Sequence, residues 1–343
     1  MKGIARIIEA IIASIIIMTS LSFFLAPATK QNAWDASFSE IKSQDAVSSA
    51  YENGSLSFFV RTNNATGLRN ILESLLGKST DFSIEIRGIP NPFIYLGCTC
   101  SASELNDLKN KIAPLNFTYK GRNIEILLDQ RSAENPGNSN IMLFLSADNL
   151  ERNYTDPYTK NTIEKFLENG GTLMLIDDIN EAKSHYSVIT NIFNLQWSTQ
   201  EANKAIGRFH EPSNASRISF NIAKYYSNLT GKNPVTETFS FHTIVNNITV
   251  DNSTVIEDFG QKFSFLKCNK NVIKDNGRAV WIADNDDGSI DNLTKAAIIW
   301  ASGEKYNMDP SGPKKIPKMS RDTNMILYDN DPYEFRLTSW SVF

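Results

Sequence analysis

Apolar and polar positions recur along this chain with a period that changes from one segment to the next. Over residues 55–62, Leu56, Phe58 and Val60 occupy every second position, the period of a strand with one buried face. Residues 66–76 carry Leu68, Ile71, Leu72, Leu75 and Leu76 at helical spacing, with Thr66 as N-cap and Gly77 as the stop. Phe82, Ile84 and Ile86 alternate again, and Gly88, Pro90 and Pro92 then form a turn into a strand over residues 93–100. Ser101-x-x-Glu104 is a capping box that opens a helix with Leu105, Leu108 and Ile112, ended by Pro114. Residues 117–129 return to strand-like sequence. The order β-α-β-β-α-β predicts a ferredoxin-like α+β domain over residues 55–130, an architecture that does not by itself choose a function.

After a polar linker (RSAENPGNSN, residues 131–140) the pattern changes. Residues 140–146 (NIMLFLS) are almost wholly apolar, as in a strand buried on both faces. A helix over 161–169 directs Ile163, Phe166 and Leu167 inward and stops at Gly170-Gly171. A second buried strand, 172–178, ends in Asp177 and Asp178, and a helix over about 180–195 follows. A third buried strand, 279–283, ends at Asp284 and leads to a helix over 291–302. This alternation predicts an α/β domain with a parallel sheet over residues 138–306. Residues 307–343 read as a Pro-containing linker and a hairpin around Asn330-Asp331-Pro332. Its last strand is apolar enough to require a partner, in the fold or in a neighbouring chain.

The N-terminus sets the expected compartment. Residues 10–26 (AIIASIIIMTSLSFFLA) hold 17 residues without a charge, and Ile4, Ile7 and Ile8 extend the run to spanning length, about 20 residues. Lys2 and Arg6 keep the short side cytoplasmic. Residues 1–27 are therefore expected to be a single transmembrane anchor, residues 28–54 a polar stalk with a helix around 39–51, and the bulk of the chain extracytoplasmic. A cleaved secretory signal is the rival, since Ala26-Pro27-Ala28 offers a cleavage site, but the apolar run exceeds the usual h-region. Arg6 and Glu9 lie three apart on one helix face and form the expected polar pair of the segment.

Two resemblances follow from these residues. The run NIMLFLSADNL…TIEKFLENGGTLMLIDD resembles the class I glutamine amidotransferase-like superfamily, in its non-catalytic, membrane- and envelope-associated branch. The resemblance is good over residues 138–198 and fainter to about 303. It implies a flavodoxin-like parallel sheet. The short basic leader Lys2-Gly3, followed by an apolar helix with one early glutamate, resembles the N-terminus of archaeal type IV pilin-like proteins over about 25 residues. Here Glu9 falls sixth after Gly3, where pilins place it fifth.

Chemistry is sparse. The amidotransferase resemblance implies a nucleophile elbow of the form G-x-C-x-G or G-x-S-x-G, and no two glycines in the chain are four apart. The chain is therefore expected to be no enzyme, with no cofactor and no metal. One weak binding constellation remains: Asp177, Asp178 and Asp284 all follow buried strands, where open α/β sheets bind ligands. The competing assignment for these carboxylates is helix capping. A formal charge of −4 argues against nucleic acid as a partner. Nine Asn-x-Ser/Thr sequons agree with export, although asparagine is common enough here to supply most of them by chance. Of the three cysteines, Cys98 and Cys100 share one strand face, and an oxidising exterior favours a disulfide, most simply from that strand to Cys268.

The expected protein is thus a single-pass cell-membrane protein that acts outside the cytoplasm as a non-enzymatic interaction or scaffold component. Its partners would be the membrane and other envelope or pilus-like proteins. The alternatives are a pilin-like minor subunit of a surface filament and a metal-dependent extracytoplasmic hydrolase using the aspartate rim.

Overall fold

A computed structural model describes residues 28–177, 183–195, 205–207, 217–233, 237, 239–241, 245–246, 253–258, 261–274, 276–283, 291–310, 314–318, 320–329 and 331–342. The apolar segment 10–26, with Arg6 and Glu9, lies outside these residues, as do Asp178 and Asp284. Among the described residues no helix is long and apolar enough to cross a membrane. The chain is mixed α/β with both parallel and antiparallel pairing, and it divides into two units. One comprises residues up to 60, 64–87 and 307–343; the other comprises 61–63 and 88–306.

The first unit starts with three helices, α1 (Ala28–Glu52), α2 (Ser55–Arg61) and α3 (Ala65–Leu76), and a strand, β1 (Thr80–Arg87). The expected stalk is therefore largely one helix, and Ser43, Ala46, Val47 and Ala50 on its second half are buried. The strand expected over 55–62 is the helix α2. Leu56 and Val60 lie four apart and both are buried, which suits one helix face, while Phe58 is 49% exposed. The pair at 56 and 60 fits both periods, Phe58 fits the strand alone, and packing chose the helix. Asn64 rather than Thr66 caps α3, accepting from the Gly67 N–H at 2.8 Å.

The second unit follows the chain through β2 (Phe93–Thr99), α4 (Ala102–Lys111), β3 (Asn116–Tyr119), β4 (Arg122–Gln130), β5 (Ile141–Phe144), α5 (Ala147–Thr155), α6 (Pro157–Glu168) and β6 (Thr172–Ile176). It continues with α7 (Ser187–Asn191), β7 (Ala205–Gly207), α8 (Arg217–Thr230), β8 (Phe239–Phe241), β9 (Val245–Asn246), β10 (Ser253–Asp258), β11 (Gln261–Ile273), β12 (Asn276–Ile282) and α9 (Asp291–Ala301). Its main sheet has the order β10-β11-β12-β6-β5-β2-β4-β3, with β9 added on β11, and β7 pairs with β8 separately. Five neighbouring strands, β12, β6, β5, β2 and β4, are parallel. All of β5 and β6 is buried, as the unbroken apolar runs require. Gly170, at φ +88°, ends the turn from α6 into β6 in a conformation that glycine adopts without penalty.

The chain then re-enters the first unit through β13 (Lys305–Asn307), followed by β14 (Arg321–Asp329) and β15 (Asp331–Ser341). The sheet order is β13-β1-β15-β14. β15 runs antiparallel to both neighbours, with Ile84 opposite Leu337 and Ile86 opposite Phe335. These apolar residues face α1 and α3, whose Val47, Leu68, Leu72 and Leu76 are buried. The ferredoxin-like arrangement expected over 55–130 is therefore not formed. β1 hydrogen-bonds to the C-terminal strand, whereas β2, β3 and β4 belong to the other unit's sheet. The alternation in β1 told which face is buried, not which strand pairs with it. The expected C-terminal hairpin is formed, β14 pairing antiparallel with β15 from Asp329 opposite Asp331 to Arg321 opposite Ser339, and its last strand finds the partner it requires within the fold, in β1.

Candidate functional site

Numbered in chain order, the five parallel strands β2, β4, β5, β6 and β12 lie in the spatial order 2-1-3-4-5. Connections reverse direction across the sheet between β2 and β5, and open α/β sheets bind ligands outside the carboxyl ends of the strands at such a point. The residues leaving these ends form the candidate site.

From β2, Thr99 and Cys100 run into Ser101, the N-cap of α4. Its hydroxyl accepts from the Glu104 N–H, and the Glu104 carboxylate accepts from the Ser101 N–H at 2.7 Å. The Ser101 hydroxyl also donates to the Glu104 carboxylate at 2.7 Å, and this bond, with that from the Ser101 N–H, holds the Glu104 carboxyl below its usual range. From β5, Ser146 caps α5 by accepting from the Asn149 N–H. Two bonds join the neighbouring loops: Asn149 Nδ2 donates to the Thr99 carbonyl at 3.1 Å, and Gln130 Nε2 donates to the Cys100 carbonyl at 2.8 Å. A cleft of about 470 Å³ lies here, lined by Thr99, Cys100, Ser101, Gln130, Arg131 and Asn149 among others. A smaller one, about 190 Å³, lies between α4 and α9 at the ends of β5 and β6 and shares Glu104.

The connection from β4 to β5 contributes a second feature. It spans residues 131–140 without a helix, although parallel crossovers usually contain one. Arg131 N donates to Cys98 O, and Asn140 N donates to Tyr95 O. A Cβ at Gly97 would meet Ser139 Oγ at 2.5 Å, so this close approach requires glycine. Phe93 (40%) and Tyr95 (42%), on one face of β2, stay exposed.

Of the three rim aspartates, Asp177 is described. Its Oδ2 accepts from the Ala147 N–H at 2.6 Å, in the first turn of α5, and from Lys183 Nζ at 2.7 Å. Lys183 also lies 3.7 Å from Asp148, which accepts from the Tyr186 hydroxyl. That hydrogen bond raises the Tyr186 pKa. Asp177 therefore fastens the start of α5 to the end of β6. Asp178 and Asp284 fall outside the described residues. Among the described residues no cluster of three or more His, Cys, Asp or Glu side chains has metal-binding geometry.

The cysteines correct the expected pairing. Cys98 and Cys100 are disulfide-bonded to each other, with Cα atoms 5.4 Å apart. Cys268 is buried on β11. Transverse pairing runs from Cys98 through Leu143, Met174 and Val280 to Cys268. Four strand spacings, about 19 Å, separate the two, far beyond the reach of a disulfide. Thr99, between the bonded cysteines, has a buried Oγ1 without a hydrogen-bond partner among the described residues, an arrangement that costs about 1–3 kcal/mol.

The sequence singled out Asp177 as a rim candidate and Cys98 and Cys100 as disulfide candidates, but not Gln130, Arg131 or Asn149, which line the cleft. Strand order alone brings those three to the end of β2. The fold and the rim define a mixed α/β protein with a parallel-sheet unit open at its carboxyl edge. The chain matches no protein-family model, and no curated protein matches it either.

Proposed function

We propose that this chain is a membrane-anchored, extracytoplasmic interaction or scaffold protein of the cell surface. Its larger unit would be a non-catalytic relative of the flavodoxin-like, class I glutamine amidotransferase-like fold. The 2-1-3-4-5 strand order supports that relationship, as do the runs in β5, α6 and β6 that carry the sequence resemblance. The Cys98–Cys100 disulfide suits an oxidising compartment. The apolar segment 10–26, with Lys2 and Arg6 before it, supplies the anchor. Exposed Phe93 and Tyr95 offer apolar surface for a partner.

One observation carries the non-catalytic part. The Asp177 carboxylate, at the edge where this sheet would place its chemistry, is spent on the Ala147 N–H and on Lys183. Asp177→Asn should lower stability and abolish no specific turnover. A hydrolase or amidotransferase activity lost in this variant at unchanged melting temperature would overturn the proposal.

A second reading, a pilin-like minor subunit, is favoured by α1. Phe38 (69%) and Ile41 (57%) are exposed, whereas the second half of the same helix packs on β14 and β15. Such a helix leaves Phe38 and Ile41 for neighbouring copies. In this case Glu9→Ala would impair assembly, whereas a simple anchor would tolerate it.

A further inference from the structure

The end of β2 holds chemistry that a scaffold does not use. We propose that the Cys98–Cys100 disulfide is a thiol-reactive site that takes an aliphatic thiol of the cysteine type. In the first step the incoming thiolate forms a bond to Cys100 Sγ, the Cys98–Cys100 bond breaks, and Cys98 leaves with the electron pair and takes up a proton. The product is a mixed disulfide on Cys100. It is resolved in one of two ways. The Cys98 thiolate re-attacks Cys100 and expels the thiol, or a second thiol attacks the bound sulfur. The second route releases the two thiols as their disulfide, oxidised by two electrons, and leaves Cys98 and Cys100 reduced.

Three observations carry this. The two sulfurs are unequally placed: Cys98 is buried in the core, and Cys100 is half-buried and lines the 470 Å³ cleft. Attack therefore falls on one sulfur, since exchange rates depend on access. Cys100 also directly precedes the N-cap of the ten-residue helix α4, where thiolates are stabilised. Arg131 on the cleft wall adds positive charge, which its ion pair with Asp129 at 2.8 Å and the Glu104 carboxylate both offset, so access and the helix start, not net charge, favour Cys100. Finally, the disulfide closes a loop holding only Thr99, and such short loops constrain the unfolded chain least. A purely structural purpose gains little from it. Cys98, being buried, is a reluctant leaving group that stays beside Cys100 after the exchange, so the mixed disulfide forms slowly and to a low level and is best trapped without Cys98. Cys268, four strands away, does not take part. The proposal is independent of the membrane anchor and of the non-catalytic assignment of Asp177.

The test uses the full-length chain. Cys98→Ser and Cys100→Ser variants are incubated with glutathione disulfide, and separately with the disulfide of a short single-cysteine peptide, then acid-quenched and mapped by mass spectrometry. Cys100 in the first variant should be modified at least about tenfold faster than Cys98 in the second. Faster labelling by glutathione would assign a small thiol, and faster labelling by the peptide a protein thiol. As a control independent of either substitution, the native chain is pulsed with reduced glutathione and quenched, and the transient adduct should map to Cys100. Equal labelling of the two cysteines, or opening of the native bond only in denaturant, would overturn the proposal.

Discussion

The two units solve the same packing problem by different rules. In the larger unit, β5, β6 and most of β12 are buried on both faces, and every residue of Ile141–Phe144 and Thr172–Ile176 is in the core. In the smaller unit, β1 and β15 bury Phe82, Ile84, Ile86, Phe335 and Leu337 on the face toward the helices. The opposite face carries the cross-strand pair Glu85–Arg336 and the pair Arg87–Glu334. The first rule produces continuous apolar runs, and the second produces alternation. A continuous run identifies a central strand with little ambiguity. Alternation identifies a face and leaves the partner open, and here the partner comes from the far end of the chain.

The comparison can be broken most severely at β15. Phe335 is fully buried opposite Ile86, and Phe335→Ala should cost the smaller unit about 3–5 kcal/mol. Hydrogen exchange should show lost protection in β1 and β14, while β5 and β6 keep theirs. Equal loss in both units would mean that they do not unfold separately.

A smaller effect is expected at the sheet edge of the larger unit. Asp177→Asn keeps the shape but removes the charge that Lys183 and the first turn of α5 share, at a cost of about 1–2 kcal/mol. Thermal melts of the variant check this, and protection should fall around α5 and Lys183 only.

Acid sharpens the contrast further. Burial opposes the charge on Asp81, but Lys314 at 2.5 Å, Arg69 at 3.0 Å and the Phe82 N–H outweigh it and hold its pKa low. Arg69 also reaches Asp309 at 2.9 Å and Glu73 at 2.6 Å. A carboxylate whose pKa is lowered by folding contributes stability that is complete above its unfolded value. That contribution is lost as pH falls through the folded value. The smaller unit should therefore weaken below about pH 4. In Asp81→Asn the melting temperature should be lower at neutral pH and flatter with acid; an unchanged slope would remove Asp81 from the acid response.

The same contrast explains what could be read in advance. β5, β6, β12 and the Ser101–Glu104 capping box were legible because their signals are local. Residues 117–129 were read as one strand, yet they fold back at Lys120 (φ 49°) and Gly121 (φ 77°) into β3 and β4. Two positive φ values make a tight hairpin turn, and Lys-Gly is a weaker signal for one than Asn-Gly. At the rim, the position of Asp177 followed from the end of a buried strand, but its partners Ala147 and Lys183 did not. The cysteine spacing was visible, whereas the distance to Cys268 depends on a strand order that no local pattern encodes.

The central claim is that both units are held outside the cytoplasm by an N-terminal segment that stays attached. The most direct test is the intact mass, after deglycosylation, of the native protein taken from its host's membranes. An anchored scaffold gives the mass of all 343 residues. Loss of only the first three residues would move the pilin-like subunit ahead, and loss of the first 27 or so, releasing a freely secreted chain, would contradict the anchor outright.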